Sequence, residues 1–150
     1  MKMMKPIIVL TVICLVASGA LALTNAKTVD AIKKVNEQTV KQAEKEVLPK
    51  DGTGKAYQGV AKSFGGDLEV MVGVGNDGKI TGVKVTAHKD TPGLGTKAHD
   101  AEYLKQYIGL SELKAEKIKD DSQVKAVTGA TISSNGVYNA IKDALKKGGK

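Results

Sequence analysis

A group of hydroxyl side chains comes immediately before, and within the first turn of, a predicted helix near the C-terminus. The segment Val127–Ser134 reads Val-Thr-Gly-Ala-Thr-Ile-Ser-Ser. Its hydroxyl-bearing residues are Thr128, Thr131, Ser133 and Ser134. A helix N-terminus has free backbone N–H groups and the positive end of the helix dipole, which together favour an anion and above all a phosphate. The pattern therefore predicts either an anion site or an ordinary helix cap, since Ser and Thr are also preferred caps.

The helix itself is predicted from one apolar stripe. Residues at i, i+3, i+4, i+7 and i+8 are apolar, as one face of a packed helix requires. They are Val137, Ala140, Ile141, Ala144 and Leu145. Gly148 and Gly149 follow and are expected to end the helix.

A second unusual segment, His88–Gly95, follows a predicted β-hairpin. It combines a rigid proline with two permissive glycines in the order Thr91-Pro92-Gly93-Leu94-Gly95. Such a loop can bring its backbone and an apolar side chain against a flat ring, although an ordinary Pro-Gly turn has the same composition.

These segments resemble one known family. Thr128–Ser134 resembles the flavinylation motif of the FMN-binding domains in the G subunit of the Rnf electron-transport complex and the C subunit of the sodium-pumping NADH:quinone reductase. His88–Gly95 resembles the His-x-(Glu/Asp)-Thr-Pro-Gly-Leu-Gly loop of that family, and Tyr103–Tyr107 is similar to its aromatic-Leu-Lys-Gln-aromatic segment. The three segments occur in the family's order, and the resemblance covers about residues 55–147.

The resemblance implies a covalent flavin. Thr131 corresponds to the threonine that carries FMN through a phosphoester, attached by an exported flavin transferase that takes FMN from FAD. The other residues implied to bind the cofactor are His88, Thr91, Gly93, Leu94, Gly95, Thr128, Gly129, Ala130, Ser133 and Ser134. No side chain is predicted to be catalytic, because flavin supplies the redox chemistry and the protein supplies position and electrostatics. The implied role is an electron carrier, with the other membrane subunits of an Rnf-type ion-translocating ferredoxin:NAD oxidoreductase as partners.

One position departs from the family pattern. The family usually has an aspartate six residues before the modified threonine, and here that residue is Lys125. Attachment that depends on this carboxylate would be slow, or FMN would bind without a covalent bond. Two alternatives therefore remain beside the Rnf G subunit: a stand-alone FMN-binding protein for extracellular electron transfer, and a non-redox binding domain in which Thr131 only caps a helix.

The N-terminal region predicts a membrane anchor. Lys2 and Lys5 precede the mainly apolar run Ile7–Leu23, which has about the minimum length that crosses a hydrocarbon core. Ala20-Leu21-Ala22 also offers a small-x-small site, so a cleaved signal peptide is the alternative. We expect a single-pass protein of the cell membrane whose soluble domain is extracytoplasmic.

Composition excludes several other functions. The net charge is +7, but all 23 basic residues are lysine and aromatic residues make up 3% of the chain, so nucleic-acid binding is not expected. Two histidines and one cysteine provide no zinc-like ligand set, and no metal is predicted. Residues 73–78 read Gly-x-Gly-x-x-Gly, yet they are predicted to close a hairpin, whereas a dinucleotide site opens a helix.

The predicted fold class is α+β, with an N-terminal transmembrane helix and a small FMN-binding domain. Its twisted, mainly antiparallel sheet comprises Ala56–Ser63, the alternating strand Leu68–Val74 and a strand that starts at Ile80. Helices are expected at 28–47 and 97–108 besides the C-terminal one. The predicted organisation is an anchor at 1–26, a juxtamembrane helix and linker at 27–54, and the FMN-binding domain at 55–150.

Overall fold

The computed structural model describes residues 4–49 and 53–149. The predicted linker residues 50–52 and the basic residue Lys2 lie outside this part of the chain. The chain divides into two compact units, Met1–Glu37 and Gln38–Lys150, which are described separately.

The first unit consists of one helix, α1, which spans Met4–Val47 and therefore continues into the second unit. By length and composition it is the one described helix that qualifies as a membrane span, with a mean hydropathy of 2.6 over its most apolar window. Its large apolar side chains from Ile7 to Leu23 are exposed. The hydroxyls of Thr11 and Thr24 donate to carbonyl oxygens one turn earlier, at 2.9 Å each, which satisfies these polar groups within the helix.

The helix predicted to begin at Thr28 is not a separate element. The Thr28 hydroxyl donates to the Thr24 carbonyl at 2.8 Å, so Thr28 lies in the interior of α1. The predicted C-terminal end is confirmed, because α1 ends at Val47, two residues before Pro49.

The second unit contains a three-stranded antiparallel sheet in the order β1-β2-β3. The strands are β1 Lys55–Ser63, β2 Gly66–Val74 and β3 Ile80–Ala87, which confirms the predicted strands. Val72 of the central strand is paired with both Tyr57 and Val83. The glycine pattern at 73–78 ends β2 and forms the turn into β3, so it opens no helix.

The central strand is buried on both faces. Leu68, Val70 and Val72 belong to the main core, while Met71 packs on the other face against Ala43 and Val47 from the end of α1. The alternating sequence predicted a strand buried on one face only. That prediction was wrong, because the last turns of α1 cover the second face.

The helix predicted at 97–108 is divided into three short pieces. A 3₁₀ turn at Gly95–His99 is followed by α2 at Ala101–Leu104 and a second 3₁₀ turn at Lys105–Tyr107. Asp100 between the first two is extended, with φ −64° and ψ 138°, which interrupts the helix. Leu104 and Tyr107 nevertheless insert into the core, with 4% and 0% of their surface exposed.

The C-terminal helix, α3, spans Thr131–Lys147 and covers the face of the sheet opposite the end of α1. Every residue of its predicted apolar stripe is buried. The predicted end is also confirmed, since Gly148 follows the last helical residue and its N–H donates to the Ala144 carbonyl at 3.1 Å. Burial of this stripe fixes the position of Thr131, the first residue of α3, at one end of the sheet.

Candidate functional site

A tight turn places Thr131 at the start of α3. The Ala130 N–H donates to the Val127 carbonyl at 3.0 Å, and Gly129 has φ +82°, a conformation that glycine adopts without strain. Ala130 is the N-cap residue, and among the described residues no side chain forms a capping hydrogen bond to this helix. The ordinary cap interpretation of the hydroxyls is therefore wrong, and the first N–H groups of α3 have no capping side chain.

The four hydroxyls of this segment have different environments. Ser134 is fully buried and its Oγ accepts the Val127 N–H at 2.9 Å, so it holds the preceding turn. Ser133 is also buried and hydrogen-bonds Asp90. Thr128 is exposed, whereas Thr131 is half-buried.

The second predicted segment forms a compact turn. The Thr91 carbonyl accepts N–H groups from Leu94 at 3.3 Å and Gly95 at 3.0 Å, and the Gly93 N–H donates to Thr96 Oγ1 at 2.9 Å. These bonds leave the Leu94 side chain 51% exposed.

One cavity of about 250 Å³ brings the two segments together. Its lining residues are Phe64, Thr91, Leu94, Gly95, Gly129, Ala130, Thr131, Ile132 and Ser133. The segments touch directly at Gly95, where an added Cβ would lie 2.7 Å from the Ser133 hydroxyl and 2.9 Å from Asp90 Cβ. Such a close approach requires glycine, because a side chain would separate the two segments.

Four predicted binding residues do not line this cavity: His88, Gly93, Thr128 and Ser134. The His88 ring instead lies against His99, with the ring centroids 4.3 Å apart. Gly93 shapes the turn of its loop, with φ +76°. The structure thus gives these residues no direct place in the cavity wall.

Sequence reasoning missed two apolar residues of the cavity. Phe64 and Ile132 are 67% and 60% exposed, and together with Leu94 they form an apolar rim. Phe64 is the only phenylalanine of the chain and lies in the turn between β1 and β2, where an aromatic residue is unusual. Ile132 lies off the buried stripe of α3. Both signals were present in the sequence.

A buried carboxylate, Asp90, links the walls of the cavity. Its side chain has no exposed surface and accepts the Ser63 hydroxyl at 2.5 Å and the Gly65 N–H at 2.8 Å. These two donors lie on either side of Phe64. A third contact joins Asp90 Oδ2 to His99 Nε2 at 3.0 Å, and Ser133 supplies a fourth.

These contacts keep Asp90 ionised. Burial alone would raise the pKa of this carboxyl, but the hydrogen bonds from Ser63, Gly65 and Ser133 hold its pKa below the usual range, with His99 adding to the effect. The pKa of His99 is also lowered, first by burial and then by His88, and Asp90 opposes the shift. An ionised Asp90 beside a neutral imidazole assigns the proton to His99 Nε2.

Positive charge lies on the other side of Thr131. A second cavity of about 290 Å³ is lined by Lys117, Lys119 and Asn135, and shares Thr131 and Ile132 with the first. Asn135 Oδ1 accepts the Ile118 N–H at 3.1 Å, which holds the two flanking lysines near the start of α3. A chain without arginine thus places lysine charge near a candidate phosphate site.

The residues present fit an FMN group. An apolar rim suits a flat ring, while a reachable hydroxyl at an uncapped helix N-terminus suits its phosphate. The cavity is smaller than the roughly 300–1,000 Å³ of sites that enclose a whole ligand. A cavity of this size would hold part of FMN and leave the remainder outside it.

Comparisons with known proteins identify the family of this domain. Residues 63–146 match the sequence model of the FMN-binding domain family. The chain is 31% identical to the G subunit of the ion-translocating oxidoreductase complex of Methanosarcina acetivorans, an alignment that covers 94% of this chain and 92% of that protein. It is 27% identical to the G subunit of the Na⁺-translocating ferredoxin:NAD⁺ oxidoreductase complex of Acetobacterium woodii, over 93% of this chain and 88% of that protein.

A shorter alignment reaches higher identity. The G subunit of the proton-translocating ferredoxin:NAD⁺ oxidoreductase complex of Clostridium ljungdahlii is 35% identical over 58% of this chain and 49% of that protein. The matched family region begins at Ser63 and ends within α3, so it contains both segments that form the cavity. This chain therefore belongs to the FMN-binding domain family, among the relatives of the G subunits of ion-translocating oxidoreductase complexes.

Proposed function

We propose that this chain is a membrane-anchored electron carrier whose FMN is attached to Thr131 by a phosphoester. We further propose that it acts as the G subunit of an Rnf-type ion-translocating ferredoxin:NAD oxidoreductase. One observation carries the proposal: a single cavity unites the Thr91–Gly95 turn with Thr131, although 40 residues separate Thr91 from Thr131.

The attachment reaction is a phosphoryl transfer from FAD. The Thr131 hydroxyl oxygen attacks the phosphorus on the FMN side of the pyrophosphate, the pyrophosphate P–O bond breaks and AMP leaves. The hydroxyl proton passes to a base of the flavin transferase or to solvent. The first N–H groups of α3 and Lys117 and Lys119 would balance the charge that remains on the phosphodiester.

The other cavity residues have distinct proposed roles. Phe64, Leu94 and Ile132 would contact the flat ring, and Thr91 would lie beside them. Gly95, Gly129 and Ala130 have little or no side chain, so the backbone could approach FMN closely. Ser133 and Ser134 hold the motif in place through hydrogen bonds to Asp90 and to the Val127 N–H, respectively. His88, Gly93 and Thr128 would act through the shape of their loops. Bound FMN supplies reversible electron uptake and release.

The apolar part of α1 supports an anchoring role. Its exposed face requires either lipid or a protein partner, because large apolar patches are rarely left in water. We assign residues 1–26 to the anchor, 27–54 to the juxtamembrane helix and linker, and 55–150 to the FMN-binding domain on the extracytoplasmic side. The partners would be the other membrane subunits of the complex and, during maturation, an exported flavin transferase.

The test is the intact mass of the protein produced in a host that has an exported flavin transferase. We expect the wild type to gain the mass of FMN less water, and Thr131→Ala to gain none. Ser111→Ala is the control, because it removes an exposed hydroxyl outside both the motif and the cavity and should keep the added mass. Added mass on Thr131→Ala, or none on the wild type, would refute a phosphoester at Thr131.

Co-purification separates the two carrier functions. A component of an Rnf-type complex should be isolated from its native membrane together with other membrane subunits, and its removal should stop ferredoxin-dependent NAD reduction by that membrane. A stand-alone extracellular carrier would be isolated alone with its FMN, and that result would overturn the assignment to an Rnf-type complex.

A further inference from the structure

In the part of the chain that the structure describes, no strand pairs with the segment that leads into the flavin motif. Residues 121–130 contain neither helix nor strand. Two side chains from other elements hold the backbone of this segment in place. Ser134 accepts the Val127 N–H, as described above, and Gln106 holds Lys125.

The contact of Gln106 with Lys125 has two hydrogen bonds. Gln106 Oε1 accepts the Lys125 N–H at 2.8 Å, and Gln106 Nε2 donates to the Lys125 carbonyl at 3.3 Å. A side-chain amide carries the same donor and acceptor as a peptide group, so it satisfies this backbone as a neighbouring strand would. Neighbouring side chains anchor Gln106 itself, since Leu104 and Tyr107 are buried in the core.

Lys125 occupies the position, six residues before Thr131, where the family usually has aspartate. Holding both backbone groups of this residue fixes the peptide planes on either side of it, and therefore the direction in which its side chain leaves the backbone. It also restricts the path to the turn that begins at Val127. The enzyme that modifies Thr131 must recognise this path.

We propose that Gln106 is a positioning residue for flavin attachment. Its amide holds the Lys125 backbone in the position that presents Thr131 to the flavin transferase. This inference rests on the proposed attachment of FMN to Thr131. It concerns the rate at which Thr131 is modified.

The experiment measures attachment by the purified full-length protein in detergent, with purified flavin transferase and FAD, as intact mass against time. We expect Gln106→Ala to be modified about tenfold more slowly than the wild type. Gln106→Glu should be intermediate, because its carboxylate still accepts the Lys125 N–H but cannot donate to the carbonyl. Gln123→Ala removes an exposed glutamine two residues from Lys125 and should stay within about twofold of the wild type.

Hydrogen exchange distinguishes positioning from general destabilisation. In Gln106→Ala, the amide of Lys125 should exchange faster, while buried amides in the middle of α3, such as that of Ile141, should keep the wild-type rate. Modification of Gln106→Ala at the wild-type rate would overturn the inference and leave the proposed function intact. A loss of protection throughout α3 would also overturn it, and an unmodified wild type would reject the proposed function together with the inference.

Discussion

Asp90 provides the sharpest test of how the cavity is built. Replacing it with asparagine keeps the size of the side chain and one carbonyl oxygen but removes the charge. In the wild type, Asp90 Oδ2 accepts from both Ser63 and His99. If the amide nitrogen of the asparagine takes the place of Oδ2, the Ser63 and His99 donors face another donor. If the carbonyl oxygen takes that place, the Gly65 N–H loses its acceptor instead.

The expected cost follows from these contacts. A hydrogen bond to a charged group contributes about 1.5–3 kcal/mol, and some donors can reorient, so we expect Asp90→Asn to lose about 3 kcal/mol of unfolding free energy at pH 7. The sign of the pH dependence follows from the lowered pKa of Asp90. Its contribution is present above the unfolded-state pKa of about 3.9 and is lost as pH falls through the lower folded-state pKa. The difference between wild type and variant should therefore shrink below about pH 4.

The assay is urea unfolding of the full-length protein in detergent, followed by circular dichroism between pH 7 and pH 3. Asp100→Asn is the control, because Asp100 is exposed and its side chain does not cap α2; its effect should stay within about 0.5 kcal/mol. The reasoning fails if Asp90→Asn unfolds within about 0.5 kcal/mol of the wild type at pH 7. It also fails if the difference grows as pH falls.

Three further predictions concern the cavity and the motif. Phe64→Ala should keep covalent FMN but expose more of the flavin ring to water, so iodide should quench its emission more strongly than in the wild type. Phe64→Leu is the control because it keeps an apolar side chain, and unchanged iodide quenching in Phe64→Ala would remove Phe64 from the ring contact. Gly95→Ala should lose about 1–3 kcal/mol of unfolding free energy in urea, because its Cβ would clash with Ser133. Gly129→Ala should lose about 1–2 kcal/mol because its φ is +82°, although the atom nearest to its Cβ would be 3.9 Å away. Wild-type stability in either variant would contradict the geometry at that glycine. Lys125→Asp restores the family's usual residue and should accelerate attachment of FMN several-fold by intact mass. Lys79→Asp, a like charge change in the turn between β2 and β3, is the control and should leave the rate unchanged. Equal rates for Lys125→Asp and wild type would show that the transferase does not use this carboxylate.

Much of the fold could be predicted because its signals are local. The apolar stripe of α3 and the alternation of β2 are periodic over a few residues, and both elements formed where the pattern placed them. The predicted helix at 97–108 was less accurate, because its composition did not reveal the extended Asp100 that divides it. The helix at 28–47 was expected either as a stalk or as a helix packed on the domain, but the sequence did not show which face of β2 its end covers, since that contact joins residues far apart in sequence.

The candidate site also combines residues that local motifs identified with contacts between distant residues that they did not. Thr131 and the Thr91–Gly95 turn were identified from short motifs, but the partners of Asp90 were not. His88 lies only two residues before Asp90, yet the chain turns so that His99 reaches the carboxylate and His88 packs against the His99 ring.

By itself, the sequence determined the strands, the C-terminal helix, the apolar N-terminal segment and the threonine at the start of α3, because each depends on the order of neighbouring residues. Only the tertiary structure decided what surrounds that threonine. Phe64, Leu94 and Ile132 form one rim because the buried carboxylate of Asp90 hydrogen-bonds residues up to 43 positions away, such as Ser133. Contacts of this kind depend on how the sheet and α3 pack, and no local pattern contains that information.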